Sequence, residues 1–257
     1  MKLKPRYVEK PWGRTALPPM FAPPAGKRIG EVWFESGPEL PLLVKYIFTS
    51  ERLSIQVHPD DAEARLRHLP SGKSECWLII DAEPGATLGL GLTREITSDE
   101  LRAAALDGSI EQLVGWRPVA KGDFFYVPPG TIHAIGGGIS LVEIQQNSDV
   151  TYRLYDYGRP RELHLDDAVA VARRAPYPTS LCKHVLANEN EVLVEGPHFA
   201  AVRATADALV GRTRWVLPLE AEVRVGADSA GPGECLLLRP EDTLETGGAA
   251  VVVAAGL

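Results

Sequence analysis

Gly122-Asp123-Phe124-Phe125-Tyr126-Val127-Pro128-Pro129-Gly130-Thr131-Ile132-His133 is the stretch on which the fold turns. A Gly-Asp turn opens an aromatic run that reads as a strand, Pro-Pro-Gly bends the chain, and an imidazole follows at once. Such an order aims a side chain at the interior of a β-barrel. Three more residues point to the same place. Gln56 and His58 stand two apart in Leu53-Ser54-Ile55-Gln56-Val57-His58-Pro59, so on a strand they share a face. Glu75 lies in Gly72-Lys73-Ser74-Glu75-Cys76-Trp77-Leu78-Ile79-Ile80, a turn running into an apolar strand, with Lys73 on its face and Cys76 on the other. Two imidazoles, a carboxylate and an amide oxygen suit a divalent ion such as zinc. Two of the four are weak ligands and the set is spread over three segments. That leaves an open position for substrate and favours a catalytic over a structural site.

A chain of 257 residues with 45% hydrophobic content can build one large domain or two small ones. Its net charge of −7 offers no basic face to a phosphate backbone, which argues against general nucleic-acid binding. Apolar runs such as 249–255 are too short to span a bilayer, and Met1-Lys2-Leu3-Lys4-Pro5-Arg6 lacks the apolar run of a signal peptide. Cys76, Cys182 and Cys235 form an odd set without paired spacing, read as reduced thiols in a cytoplasmic protein. The 24 glycines and 21 prolines fit many short strands joined by turns.

Residues 1–30, with Lys10-Pro11-Trp12-Gly13, Pro18-Pro19 and Pro23-Pro24, read as an irregular arm over the barrel. Strands are expected over 30–34, 42–48 and 52–58, and helices over 60–68 and 101–106, the latter opened by Thr97-Ser98-Asp99-Glu100 and ended by Asp107-Gly108. A short helical turn is expected over 109–116, strands over 122–143 and an amphipathic helix over 162–173. After Pro176-Tyr177-Pro178 short β-like runs continue to the C-terminus. A linker near 158–185 would divide the chain into residues 1–165, the arm and metal-binding barrel, and 166–257, a linker helix and smaller β domain. Gly233-Glu234-Cys235-Leu236-Leu237-Leu238-Arg239-Pro240-Glu241-Asp242 echoes 122–129 in its turn–strand–proline layout, but no histidine follows Pro240. A degenerate second barrel without metal is the economical reading. Gly136-Gly137-Gly138 follows no strand-to-helix pattern and reads as a hairpin turn, not a phosphate loop.

The Gly-x5-Pro-x-Gly-x2-His spacing from Gly122 to His133 resembles the second metal motif of cupins, mainly-β double-stranded jelly-roll barrels with a few helices. Further motifs are more specific. Lys10-Pro11-Trp12-Gly13, Leu53-Ser54-Ile55-Gln56-Val57-His58-Pro59-Asp60, Lys73-Ser74-Glu75, Val127-Pro128-Pro129-Gly130-Thr131-Ile132-His133-Ala134 and Asn147-Ser148-Asp149-Val150-Thr151-Tyr152-Arg153 occur in the order of type I phosphomannose isomerase and resemble that family over residues 5–170. The resemblance implies that Gln56, His58, Glu75 and His133 bind one zinc, or another divalent metal, per chain. It also implies interconversion of mannose 6-phosphate and fructose 6-phosphate. Lys45 and Ser54 match positions linked to phosphate binding, with Arg153 assisting, and Asp149 and Arg153 match active-site positions. The chain lacks the helical insertion of longer members, so it resembles the compact bacterial form. Gly72 stands where those members carry a His, and any role of that His is not carried over.

Aldose–ketose isomerisation moves a proton between carbons 1 and 2, so it needs a base and a holder of enediolate charge. Lys73 can stabilise that charge, and an Asp149–Arg153 ion pair can orient the sugar and relay a proton. Asp149, Glu143 and Lys73 are all candidates for the base. Bland readings stand beside these: His58 and His133 singly as hydrogen-bonded barrel histidines, Glu143 as a brace for a ligand, Lys73 as a solvated turn lysine, Lys45 on a solvated face, Asp149–Arg153 as a surface pair. An iron-dependent cupin dioxygenase and a non-catalytic sugar-phosphate-binding cupin are the rival functions. The expected partner is a small hexose phosphate, with no nucleic acid or membrane, and the expected state is monomer or homodimer.

Overall fold

Alternation decides the architecture around the four residues. In Ile55-Gln56-Val57 and Ile132-His133-Ala134 the apolar side chains enter one buried cluster, which leaves Gln56 and His133 on the opposite face. A computed structural model describes residues 1–37, 39–186 and 190–257. The strands are β1 (Pro5–Arg14), β2 (Ile29–Phe34), β3 (Leu42–Phe48), β4 (Ile55–Val57), β5 (Glu75–Ala82), β6 (Thr87–Leu92), β7 (Val114–Pro118), β8 (Asp123–Val127), β9 (His133–Ile135) and β10 (Ile139–Gln146). They continue as β11 (Tyr152–Tyr155), β12 (Cys182–His184), β13 (Glu191–Glu195), β14 (Phe199–Ala204), β15 (Arg214–Pro218), β16 (Val223–Val225), β17 (Asp228–Ala230), β18 (Leu236–Leu238) and β19 (Val251–Gly256). The α-helices are α1 (Asp61–Leu66), α2 (Ser98–Asp107), α3 (Ile110–Leu113) and α4 (Leu165–Val171). Among the described residues no helix is long and apolar enough to cross a membrane.

Two units divide the chain. One is formed by Phe48–Leu141 and Ser148–Lys183, the other by Met1–Ile47, Val142–Asn147 and His184–Leu257. This differs from the expected boundary at 165/166. Helix α4 stays with the barrel because Ala168, Val169 and Val171 share a core with Ile55, Val57 and Ile132. The N-terminus joins the C-terminal strands instead, with Leu3 N donating to Cys235 O at 2.9 Å.

In the first unit, one sheet has the order β11-β4-β9-β6-β7, and β5 and β8 pair antiparallel in another. Helices α2, α3 and α4 cover the outer side of the five-stranded sheet with Leu101, Ala104, Ile110 and Ala168. Their starts follow local chemistry: Thr97 Oγ1 accepts from Glu100 N at 3.1 Å, and Asp60 and Glu63 form a reciprocal capping box before α1. The helices expected over 60–68 and 162–173 are shorter, as is the strand expected over 52–58. The 109–116 stretch is a short helix followed by strand β7. Gly136-Gly137-Gly138 is not a hairpin turn. It links β9 to β10, which lie in different sheets, and is held by Gly136 N to Thr87 O and Gly138 N to Thr49 O, each 2.9 Å.

In the second unit the expected irregular arm is partly a strand. β1 pairs antiparallel with β2 from Pro5↔Phe34 to Arg14↔Ile29, and as an edge strand it tolerates prolines that cannot donate to a ladder. The C-terminal residues form a sheet of order β13-β14-β19-β15-β18 and the hairpin β16-β17, with a core of Val202, Val216, Val223, Leu236, Leu238 and Val253 among others.

Candidate metal centre

Gln56 lies opposite His133 in the β4/β9 pairing and opposite Arg153 in the β11/β4 pairing, so the three form one row across the sheet. From β5, Glu75 and Trp77 approach this row. Glu75 Oε1 is 3.3 Å from His133 Nε2, and the Trp77 ring meets the His133 imidazole edge-on with centroids 5.3 Å apart. His58, one residue beyond β4, places Nε2 3.6 Å from Glu75 Oε2. Cys76 faces away as expected, opposite Tyr126, as a buried thiol outside any disulfide.

Short backbone ties hold these segments together. Gly130 N donates to His58 O at 2.8 Å, Lys73 N to Pro59 O at 3.0 Å, and Gly72 N to Asp61 Oδ1 at 2.8 Å. Gly130 has φ +81°, which explains the glycine after Pro128-Pro129. A Cβ on Gly72 would sit 2.4 Å from the Asp60 carbonyl carbon. This backbone therefore has no room for a side chain at Gly72.

The donor set fits a divalent cation. One ligand atom from each of His58, Glu75 and His133 lies within 4.8 Å of the others, and all three residues are buried. Donors around a tetrahedral zinc with bonds of ~2.0–2.1 Å stand roughly 3.3 Å apart, close to the His133–Glu75 spacing. His133 Nδ1 is 2.9 Å from Thr131 O, an atom that can only accept, so Nδ1 carries a proton and, in the neutral imidazole, Nε2 is the nitrogen left for a metal. Gln56 is half-buried, with its amide Nε2 3.2 Å from His133 Nε2 and its Oε1 3.0 Å from Ser54 Oγ.

Lys73 is buried, not a solvated turn lysine, and its Nζ is 2.9 Å from Glu75 Oε2. Arg153 is half-buried, and its Nε is buried without a hydrogen-bond partner. Burial, then the charge of Arg161, pulls its pKa below the usual arginine range, while Asp156, Asp149 and Glu162 oppose the shift. The expected Asp149–Arg153 ion pair is absent among the described residues. Strand β11 carries Arg153 to the Gln56 row, while Asp149 stays exposed in the preceding irregular stretch. Lys45 and Glu143 lie in the second unit as a buried pair 3.1 Å apart, with the ammonium 4.5 Å from the Trp33 ring centroid, so Lys45 is not on a solvated face. The sequence reading did not identify the Thr131 carbonyl that orients His133 or the Asp61 carboxylate that ties Gly72. A backbone acceptor has no residue signature, and Asp61 reads only as a helix-start acid.

No family model matches the chain. It is 40% identical over 171 residues to the mannose-6-phosphate isomerase of Streptococcus mutans, a match covering 63% of this chain and 54% of that protein. It is 37% identical over 211 residues to GmuF of Bacillus subtilis, described as a probable mannose-6-phosphate isomerase, covering 66% of this chain and 67% of that protein. The chain thus spans about half the length of the first relative and two thirds of the second. The crystal structure of mannose 6-phosphate isomerase from Bacillus subtilis matches with a TM-score of 0.82 and 28% identity over 98% of each chain. A variant of phosphomannose isomerase from Salmonella typhimurium, at 14% identity and a TM-score of 0.76 over 99% of this chain and 98% of that one, shares the fold. These structures have the cupin-type β fold expected from Gly122 to His133. Ordered motifs, the convergence of His58, Glu75 and His133, and relatives of this identity and coverage make the chain a member of the type I mannose-6-phosphate isomerase family.

Proposed function

We propose that the protein is a zinc-dependent isomerase that interconverts mannose 6-phosphate and fructose 6-phosphate. The observation that carries this reading is the buried convergence of His58, Glu75 and His133 beside the row holding Gln56 and Arg153. The reaction itself is that named for the relatives. Gln56, His58, Glu75 and His133 would hold the ion; two imidazoles among oxygen donors favour zinc over magnesium or calcium. When bound, it supplies Lewis acidity worth several kcal/mol toward charge developing on the sugar oxygens.

The chain's own residues divide the remaining work. Arg153 offers a planar cation beside Gln56, suited to a phosphate or to oxygens gaining charge. Lys73 holds Glu75 by one oxygen and keeps an ammonium at the cluster, where it can stabilise the enediolate or carry a proton. Of the three candidate bases, Lys73 is in contact with a metal residue, Asp149 is exposed, and Glu143 is paired with Lys45. The family positions of Lys45 and Ser54 also point to phosphate. In this chain Glu143 engages the first and Gln56 the second, so in this reading Arg153 holds the phosphate together with the sugar oxygens that gain charge in the transition state.

A coupled mannose 6-phosphate assay on protein of measured metal content tests the proposal. Turnover should rise with zinc occupancy, vanish on chelation and return when zinc is restored. Oxygen uptake by iron-loaded protein without isomerisation would instead identify a dioxygenase. Tight sugar-phosphate binding without conversion would identify a binding protein.

A further inference from the structure

We propose that Ser54 is a positioning residue that turns the Gln56 amide toward the metal, and not a contact to the substrate's phosphate. The inference rests on Gln56 being a metal ligand. Ser54 is 2% exposed, so its hydroxyl is directed inside the protein. Its Oγ is 3.0 Å from Gln56 Oε1; Gln56 Nε2 is 3.2 Å from His133 Nε2; His133 Nδ1 is 2.9 Å from Thr131 O.

The direction of every bond in this chain follows from its last member. A carbonyl can only accept, so His133 Nδ1 donates, and in the neutral imidazole that a metal ligand must be, Nε2 accepts. Gln56 Nε2 therefore donates to His133, and Ser54 donates to Gln56 Oε1. In this arrangement the amide oxygen and the imidazole lone pair, both needed by a metal, are taken up by neighbours.

A half-turn of the amide about its last torsion changes this. Oε1 then stands beside His133 Nε2, and two acceptors facing each other repel unless a cation lies between them. Nε2 meets Ser54 Oγ, and a hydroxyl can accept as readily as it donates. Ser54 thus satisfies the amide in both orientations, with and without metal. An alanine would satisfy neither, and the loss is greater in the metal-bound orientation. There an N–H is left without a partner, a rarer and costlier defect than an under-used carbonyl.

Zinc affinity of the full chain, measured by competition with a chromogenic chelator, tests this without any activity measurement. Ser54→Ala should weaken zinc binding about tenfold, the lower end for loss of a partner that orients a metal ligand. The same substitution in a Gln56→Glu background should cost little, because a carboxylate presents an oxygen whichever way it turns. Equal zinc affinity of wild type and Ser54→Ala would overturn the proposal, whether or not inorganic phosphate binding falls. An equal loss in the wild-type and Gln56→Glu backgrounds would also overturn it. A wild-type chain that takes up no zinc would overturn the metal assignment beneath it.

Discussion

Residues 122–133 and 233–242 begin alike and end in different chemistry. Gly122 and Gly233 have φ of +94° and +86°. The acidic residue after each glycine accepts a backbone N–H from three residues back: Asp123 from Ala120 at 2.8 Å, Glu234 from Gly231 at 2.9 Å. A short strand follows in both, β8 or β18, and then a proline. Beyond the proline they part. Gly130 ties to the His58 carbonyl, and the chain delivers His133 to Glu75. After Pro240, Asp242 accepts from Arg239 N at 2.8 Å and its carbonyl accepts from Arg214. The core around β18 is aliphatic, with Val216, Val223, Leu236, Leu238 and Val253. The shared turn builds a wall of a β structure; what the wall does depends on a few polar side chains placed past the bend.

Removing chemistry from the first wall should have the largest effect. His133→Ala should abolish zinc uptake and lower turnover by orders of magnitude, while far-ultraviolet circular dichroism keeps its β signal because Ile132 and Ala134 remain in the core. Metal stoichiometry near wild type would show that the two walls do not differ as described. Arg153→Lys retains charge but loses the planar fork, and turnover should fall about 10²-fold with metal content unchanged and KM moved modestly. A rise in KM alone would recast Arg153 as a simple phosphate anchor.

The second wall should respond in the opposite sense. Leu236→Ala should cost about 2–5 kcal/mol of unfolding free energy, read by urea denaturation, with zinc stoichiometry unchanged. Loss of zinc at full stability would break the contrast. The smallest effect is expected away from both walls. Thr97→Ala removes the cap of α2 and should cost about 1 kcal/mol, with no change in zinc binding or turnover.

Side-chain direction along a strand and the caps of a helix are local properties, and both could be read directly. The two-residue spacings in Gln56-Val57-His58 and Lys73-Ser74-Glu75 implied common faces, and Lys73 and Glu75 meet in the structure. Thr97 and Asp60 cap where their residue types lead one to expect. Pairing is not local. Pro5 and Pro11 hide the pattern of β1, which is a strand because β2 is beside it. Gly136-Gly137-Gly138 looks like a hairpin until β9 and β10 are found in separate sheets.

Sequence alone thus determined the candidate ligand residues, the barrel class and the family resemblance, because composition, period two and turn chemistry act over a few residues. Only the tertiary structure decided that Glu75 and His133, 58 positions apart, come within 3.3 Å. It also decided that Lys45 is held by Glu143, that Arg153 stands in the Gln56 row without Asp149, and that Gly72 has no room for a side chain. Each of these depends on where a distant segment packs. The free energy of that packing belongs to the whole folded core, and no window of neighbouring residues contains it.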